Sequence, residues 1–270
     1  MNSIVLYCKS FSRDVERCKI LLESVLKYNK DNIPFYISTP KEDIQSFKST
    51  LGTIGYILIT DEDVLGENLS QSWKNQQIVK IIFGLSMNVE NTIILDSDCY
   101  FIRDFYIKDF IMDLENNIPL TICHEQHDLF EWTSKNKHLL GFDPKISFGE
   151  CRYPIMDAFC RKGKLLDGGP VPCIFNKKIW ASMKDEYLIP NNLTFNNLIE
   201  TIPSEFTLYL EWLLTHPNII PLYPSEPLFK CLHFLPQYYD YKNNGWTEEH
   251  FKENYLGIVM QSSSGLPLKY

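Results

Sequence analysis

The sequence has no apolar run of about 18 or more residues, the length needed to cross a bilayer, so no membrane span is expected. The apolar stretch nearest the start, Ile4-Val5-Leu6-Tyr7-Cys8, is short and reads as a strand rather than a signal peptide. No run of basic residues exceeds two and the net charge is −8. The basic patch of a nucleic-acid binder is missing, and nucleic acid is not expected as a partner. There are eight cysteines but no Cys-x-x-Cys, which argues against a zinc knuckle. Several of them, Cys8, Cys123 and Cys173, sit inside apolar runs as small buried hydrophobes. This usage predicts a reducing, cytoplasmic location, in which the sequons at Asn68 and Asn192 carry no glycan. No internal repeat is visible.

What is present fits a folded α/β enzyme. The chain has 270 residues, 44% hydrophobic and 22% charged, which excludes disorder as the dominant state. Aromatics reach 14%, enough to fill a core and also suited to clefts where rings stack on sugar faces. Strands are expected over 3–8, 34–38, 54–60 and 92–98, with helices over 12–28, 40–51 and 72–85 between them. Such alternation implies parallel pairing through right-handed crossovers, with ligands at the carboxyl ends of the strands. Those ends carry Lys9-Ser10, Asp61-Glu62-Asp63 and Asp96-Ser97-Asp98. Beyond residue 100 the alternation weakens. The pattern predicts a helix over 108–117, a strand over 119–124 and few periodic runs over 125–166, a mobile or acceptor-facing insertion. A strand over 171–175 and helices over 178–185 and 204–215 follow, and the tail from Pro221 is expected to wrap the core.

The most informative segment is Thr92-Ile93-Ile94-Leu95-Asp96-Ser97-Asp98. A buried strand delivers two carboxylates separated by one residue. Such a pair repels itself unless a cation intervenes, and hard oxygen ligands suit Mg²⁺ or Mn²⁺, which clamp diphosphates.

The segment resembles the DxD motif of GT-A glycosyltransferases, in which a divalent metal, usually Mn²⁺, holds the diphosphate of a nucleotide sugar. The helical run Gln71-Ser72-Trp73-Lys74-Asn75-Gln76-Gln77-Ile78-Val79-Lys80 is similar to the Trp-x-x-Gln-Gln-x-x-Lys pattern that precedes the DxD in polysaccharide-biosynthesis-type members. Helical geometry places Trp73, Gln76 and Lys80 on one face, with Ile78, Ile81, Ile82 and Leu85 opposite. Lys80 is thereby expected to offset diphosphate charge. Asp167-Gly168-Gly169-Pro170 looks like the glycine-containing segment that borders the donor sugar, where missing Cβ atoms allow close approach. Pro203-Ser204-Glu205-Phe206-Thr207-Leu208-Tyr209 is similar to the Ser-Glu-Tyr-x-x-Tyr run of the same group, with Phe206 replacing the first Tyr. Ser204 reads as the N-cap and Glu205 as the general base of an inverting reaction.

The resemblance implies a GT-A (Rossmann-like), mostly parallel sheet flanked by helices, with an irregular C-terminal acceptor-side region. Residues 1–123 would form the nucleotide-sugar-binding half and 124–270 the acceptor-side half of one domain. The implied activity is metal-dependent transfer from a UDP-, GDP- or CMP-linked sugar to a glycan or lipid-linked hydroxyl acceptor. Asp96, Asp98 and His233 would ligate Mn²⁺ or Mg²⁺. Tyr7, Lys9, Asp61, Gln76, Lys80, Asp96, Gly168 and Gly169 would bind the donor, and Glu205 and Asp167 would act in catalysis. His250 is the rival to His233. Other readings are a haloacid-dehalogenase-type phosphatase, a nucleotidyltransferase, and a catalytically inactive nucleotide-sugar-binding protein. The first normally carries Asp-x-Asp on its first strand, followed by Thr or Val, whereas Cys99-Tyr100 follows here. The second usually has a glycine-rich basic loop, and Lys9-Ser10-Phe11-Ser12-Arg13 has no glycine.

Overall fold

The computed structural model describes residues 4–66, 72–202 and 204–270. Ser3, Asn68, Gln71 and Pro203, named above, lie outside them. The chain opens with β1 (Ile4–Lys9), α1 (Val15–Tyr28), β2 (Phe35–Thr39), α2 (Ile44–Leu51), β3 (Ile57–Thr60), α3 (Asp61–Leu65), α4 (Trp73–Ser86) and β4 (Asn91–Asp96). Every residue of β1 is buried, as befits a parallel strand covered on both faces. Alternation then splits it: Ile4, Leu6 and Cys8 pack with α1 and α2, while Val5 and Tyr7 pack with α4.

After β4 a two-residue turn leads into β5 (Cys99–Phe101). The expected helix over 108–117 is instead a hairpin of β6 (Ile111–Asp113) and β7 (Ile118–Pro119). Asp113 accepts bonds from the N–H groups of Glu115 and Asn116, and Asn117 takes a left-handed φ of 55°. This Asp/Asn turn chemistry outweighs helix propensity. The expected strand over 119–124 is shortened to β8 (Thr121–Ile122).

The segment 125–166 is not irregular. It holds α5 (His127–Asn136) and α6 (Pro144–Ala158), the second capped by the Asp143 carboxylate on the Lys145 N–H with Pro144 in the first turn. Then come β9 (Cys173–Asn176), α7 (Lys177–Met183), α8 (Phe195–Thr201) and α9 (Glu205–Thr215). The main sheet runs β3-β2-β1-β4-β9, parallel except for β9.

The tail is more regular than expected: β10 (Pro224–Ser225), β11 (Phe229–Leu232), α10 (Leu235–Asn243), α11 (Glu248–Lys252) and β12 (Gly257–Met260). β12 pairs in parallel with β11 and antiparallel with β5, making a second sheet against the start of the tail. A Cβ at Gly257 would meet the Tyr100 carbonyl at 2.5 Å, so only glycine fits that pairing. The architecture is therefore mixed α/β, a mostly parallel sheet flanked by helices. No helix of the described residues is long and apolar enough to cross a membrane.

Candidate active site

Register places the chemistry. Lys9 lies beside Asp96, and Ser38 beside Lys9, so the carboxyl ends of β1, β2 and β4 form one edge. Asp61 starts α3 directly after β3 and meets Lys9 Nζ at 2.8 Å. Burial raises the Asp61 carboxyl above the usual range, and the Lys9 charge only partly opposes this. Above this edge lies a cleft of about 1100 Å³ lined by Lys9, Asp61, Gln76, Lys80, Asp96, Asp98, Asp167, Gly169, Glu205 and His233, among others.

Asp98 occupies the turn between β4 and β5, not the strand expected to contain it. Its Oδ2 accepts the Ser262 N–H at 2.8 Å. Burial, and then the charge of Asp96, push its carboxyl up to about 6.

Lys80 is 3% exposed. Its ammonium donates to Asp96 Oδ1 at 2.7 Å and Glu205 Oε1 at 2.9 Å, and sits 5.0 Å from the Phe206 ring centre. Burial works against the charge, but Asp96 and Glu205 outweigh it and hold the ammonium above its ordinary range. Lys80, expected to offset diphosphate charge, lines the cleft and braces two carboxylates. Gln76 lines the cleft, while the Trp73 side chain is outside the described set.

Sequence reasoning missed Gln77. Its side chain is 1% exposed and its Oε1 accepts the Glu205 N–H at 3.0 Å, supplying an acceptor at the start of α9. Ser204 makes no side-chain cap bond and its hydroxyl binds Thr207 Oγ1 instead. The adjacent glutamines Gln76 and Gln77 were visible, but which one turned inward was not.

Asp167 is held opposite His124 by a pair of backbone bonds. Its carboxylate receives Arg152 Nη2 at 3.0 Å and a short bond from Gln126. Arg152 and Gln126 both line the cleft and come from the segment expected to be irregular. Gly169 reaches the cleft, but Gly168 does not: a Cβ there would meet the Phe206 carbonyl at 2.6 Å, so its smallness serves packing on α9. Tyr7, also expected in the donor pocket, is fully buried, stacked on Phe83 at 3.7 Å with its hydroxyl 2.6 Å from Ser38 Oγ. His233 lines the cleft, and loss of water contact lowers its imidazole to about 4, leaving it neutral. His250 is not in the cleft; its Nδ1 accepts the Thr247 N–H at 3.0 Å.

Among the described residues, nine carboxylate side chains and four basic ones line this cleft. A diphosphate entering alone meets a repulsive field, so the residues suit a ligand that brings a cation. Among the described residues no three His, Cys, Asp or Glu side chains are gathered to hold a metal ion by themselves. The Asp96-Ser97-Asp98 turn therefore fits an ion held by one or two carboxylates and completed by phosphate oxygens and water, the usual Mg²⁺ arrangement, better than an all-protein cage.

No curated protein matches the chain in sequence. Among solved structures it is similar to mouse xyloside xylosyltransferase 1 in apo form, at 10% identity and TM-score 0.45, over 98% of this chain and 99% of that one. It is also similar to the galactosyltransferase LgtC in complex with donor and acceptor sugar analogues, at 12% identity and TM-score 0.48, over 94% of this chain and 86% of that one. Residues 3–218 match the model described as Family of unknown function (DUF6492), and the chain belongs to that family.

Proposed function

We propose that the protein is a glycosyltransferase that moves a sugar from a UDP-, GDP- or CMP-linked donor to a hydroxyl of a glycan or lipid-linked acceptor. The observation that carries this reading is the acidic turn Asp96-Ser97-Asp98 at the carboxyl end of a central parallel strand, opening on a large cleft already rich in carboxylates. That is where ligands of such sheets bind.

Asp96 and Asp98 would hold a divalent ion against the donor diphosphate; His233, expected as a third ligand, lines the same cleft but is not gathered with them into a three-ligand metal site. When bound, the ion stabilises the negative charge that builds on the departing nucleoside diphosphate. Lys80 keeps Asp96 oriented through its 2.7 Å bond. Lys9 is a local cation at the donor end, tied to Asp61, and Gln76 and Gly169 border the same space. Glu205 or Asp167 would receive the acceptor proton. Asp167 commits Oδ1 to Arg152 and Oδ2 to Gln126, whereas Glu205 commits Oε1 to Lys80, which favours Glu205 for that role.

Thermal-shift measurements with nucleotide sugars, with and without Mn²⁺, test the assignment, because a ligand bound only by the fold raises its melting point. The expected outcome is a Mn²⁺-dependent rise that Asp98→Ala abolishes. Equal calorimetric affinity of Asp98→Ala and wild type for UDP, GDP and CMP with Mn²⁺ would remove the site from consideration.

A further inference from the structure

The acidic turn is not shaped by its own strand alone. β12 lies antiparallel to β5, with Val259 opposite Cys99, so the tail runs alongside the turn. Two backbone donors from it reach Asp98: the Met260 N–H bonds its carbonyl at 2.8 Å and the Ser262 N–H bonds its Oδ2 at 2.8 Å. The tail is clamped in turn from α1. Arg17 donates Nη2 to the Leu266 carbonyl at 2.6 Å, and Nη1 to the carbonyls of Met260 at 3.3 Å and Pro267 at 3.4 Å. α1 is joined to β5 independently, through the Ser24 hydroxyl that accepts the Phe101 N–H at 3.0 Å. The guanidinium thus ties both sides of the tail's 3₁₀ turn (Ser262–Ser264) to the helix beneath β5. Its five-donor fork suits three carbonyls, which a lysine point charge does not satisfy. Arg17 does not line the cleft.

We propose that Arg17 is a positioning residue for the acidic pair: by clamping the C-terminal segment it fixes the Ser262 N–H against Asp98 and so sets the carboxylate orientation that a cation requires. The inference rests on the reading of Asp96 and Asp98 as cation ligands. It extends the site to a segment beyond residue 218, where the match to the family ends.

Two variants separate geometry from folding. Ser262→Pro deletes the donor at the first position of a 3₁₀ turn, where proline fits, and Gln261 before it, at φ −48° and ψ 102°, lies outside the α region that a following proline disfavours. Arg17→Met removes the clamp, and Arg17→Lys keeps the charge without the fork. Mn²⁺ is titrated by calorimetry into the full chain with UDP, GDP or CMP present, alongside melting curves. Outer partners of metal ligands are worth about 10–100-fold in affinity. Ser262→Pro and Arg17→Met are expected to weaken Mn²⁺ binding by about that factor, and Arg17→Lys to recover only a minor part. Wild-type Mn²⁺ affinity in both variants, with Asp98→Ala defective, overturns the proposal while sparing the cation site, whatever the melting points show. Full recovery by Arg17→Lys also overturns it, since charge rather than clamping would then be responsible. Mn²⁺ binding unaffected by Asp98→Ala, or none by wild type, overturns the cation reading itself.

Discussion

Replacing Lys80 by methionine removes the ammonium between Asp96 and Glu205 while keeping most of the buried volume. The two carboxylates do not suffer equally. The Asp96 side chain is 38% exposed and water screens it, whereas the Glu205 side chain is 7% exposed and keeps an uncompensated charge. Removing one partner of a buried pair costs about 3–5 kcal/mol, and here the Glu205 leg supplies nearly all of it. A chain of 270 residues unfolds with an entropy equivalent to about 2 °C per kcal/mol, so Lys80→Met should melt about 5–9 °C below wild type. Scanning calorimetry in EDTA measures this directly. Adding Glu205→Gln to the variant takes away the stranded charge and should restore more than half of the loss. A Lys80→Met protein melting within about 1 °C of wild type, or a double variant no better than the single one, refutes the claim that Lys80 is a structural counter-charge.

The other predictions address single residues. Asp98 holds its proton more tightly when folded, its carboxyl pushed up to about 6, so its contribution to stability is present below about 4 and lost as pH rises through about 6. Asp98→Asn in EDTA should therefore gain on wild type between about pH 4 and 7, and a flat difference in melting point across that range contradicts the shift. In the same window Mn²⁺ affinity should fall with acidity, by up to about tenfold per pH unit below about 6. Gly168→Ala drives a Cβ toward the Phe206 carbonyl, an overpacking worth about 1–3 kcal/mol. Its melting point should drop by a few degrees, and restoration of wild-type stability by Phe206→Ala would be inconsistent with a clash on backbone. Tyr7→Phe deletes the bond to Ser38 at a cost of about 1 kcal/mol and should leave nucleotide affinity unchanged, whereas a loss of affinity would return Tyr7 to the donor pocket.

Local pattern carried the first hundred residues because each element there is specified by neighbours in sequence. Fully apolar strands such as Ile4–Cys8 separated by helices with one apolar face leave little choice but a parallel sheet, and the sheet then decides that Lys9, Asp61 and Asp96 meet at one edge. The pattern erred where short-range turn chemistry governs, as at Asp113–Asn117. It also erred where a helix leaves apolar residues exposed and so has no clean amphipathic stripe, as in α6, with Ile146 and Tyr153 in solvent and Gly149 and Pro154 in its interior. The overlooked signal for α6 was its start, Asp143-Pro144, a cap followed by proline.

The site followed the same division. Which residue types gather at the cleft was readable, since Lys9, Asp61 and Asp96 all lie at strand ends. Their partners were not, because Lys80 and Glu205 are 125 residues apart, and Asp98 and Ser262 are 164 apart. No periodicity spans such distances; only the crossing of α4 under α9 and the return of β12 beside β5 creates those bonds. That also explains the pairing of Lys80. A lysine before an acidic turn looks like a phosphate ligand when only its own helix is considered. Once α9 brings a second carboxylate within 2.9 Å, the ammonium is better satisfied inside the protein than in the cleft. Under the proposed function the diphosphate charge would then be left for a cation to meet, which accounts for a pocket lined so largely by acids among the described residues.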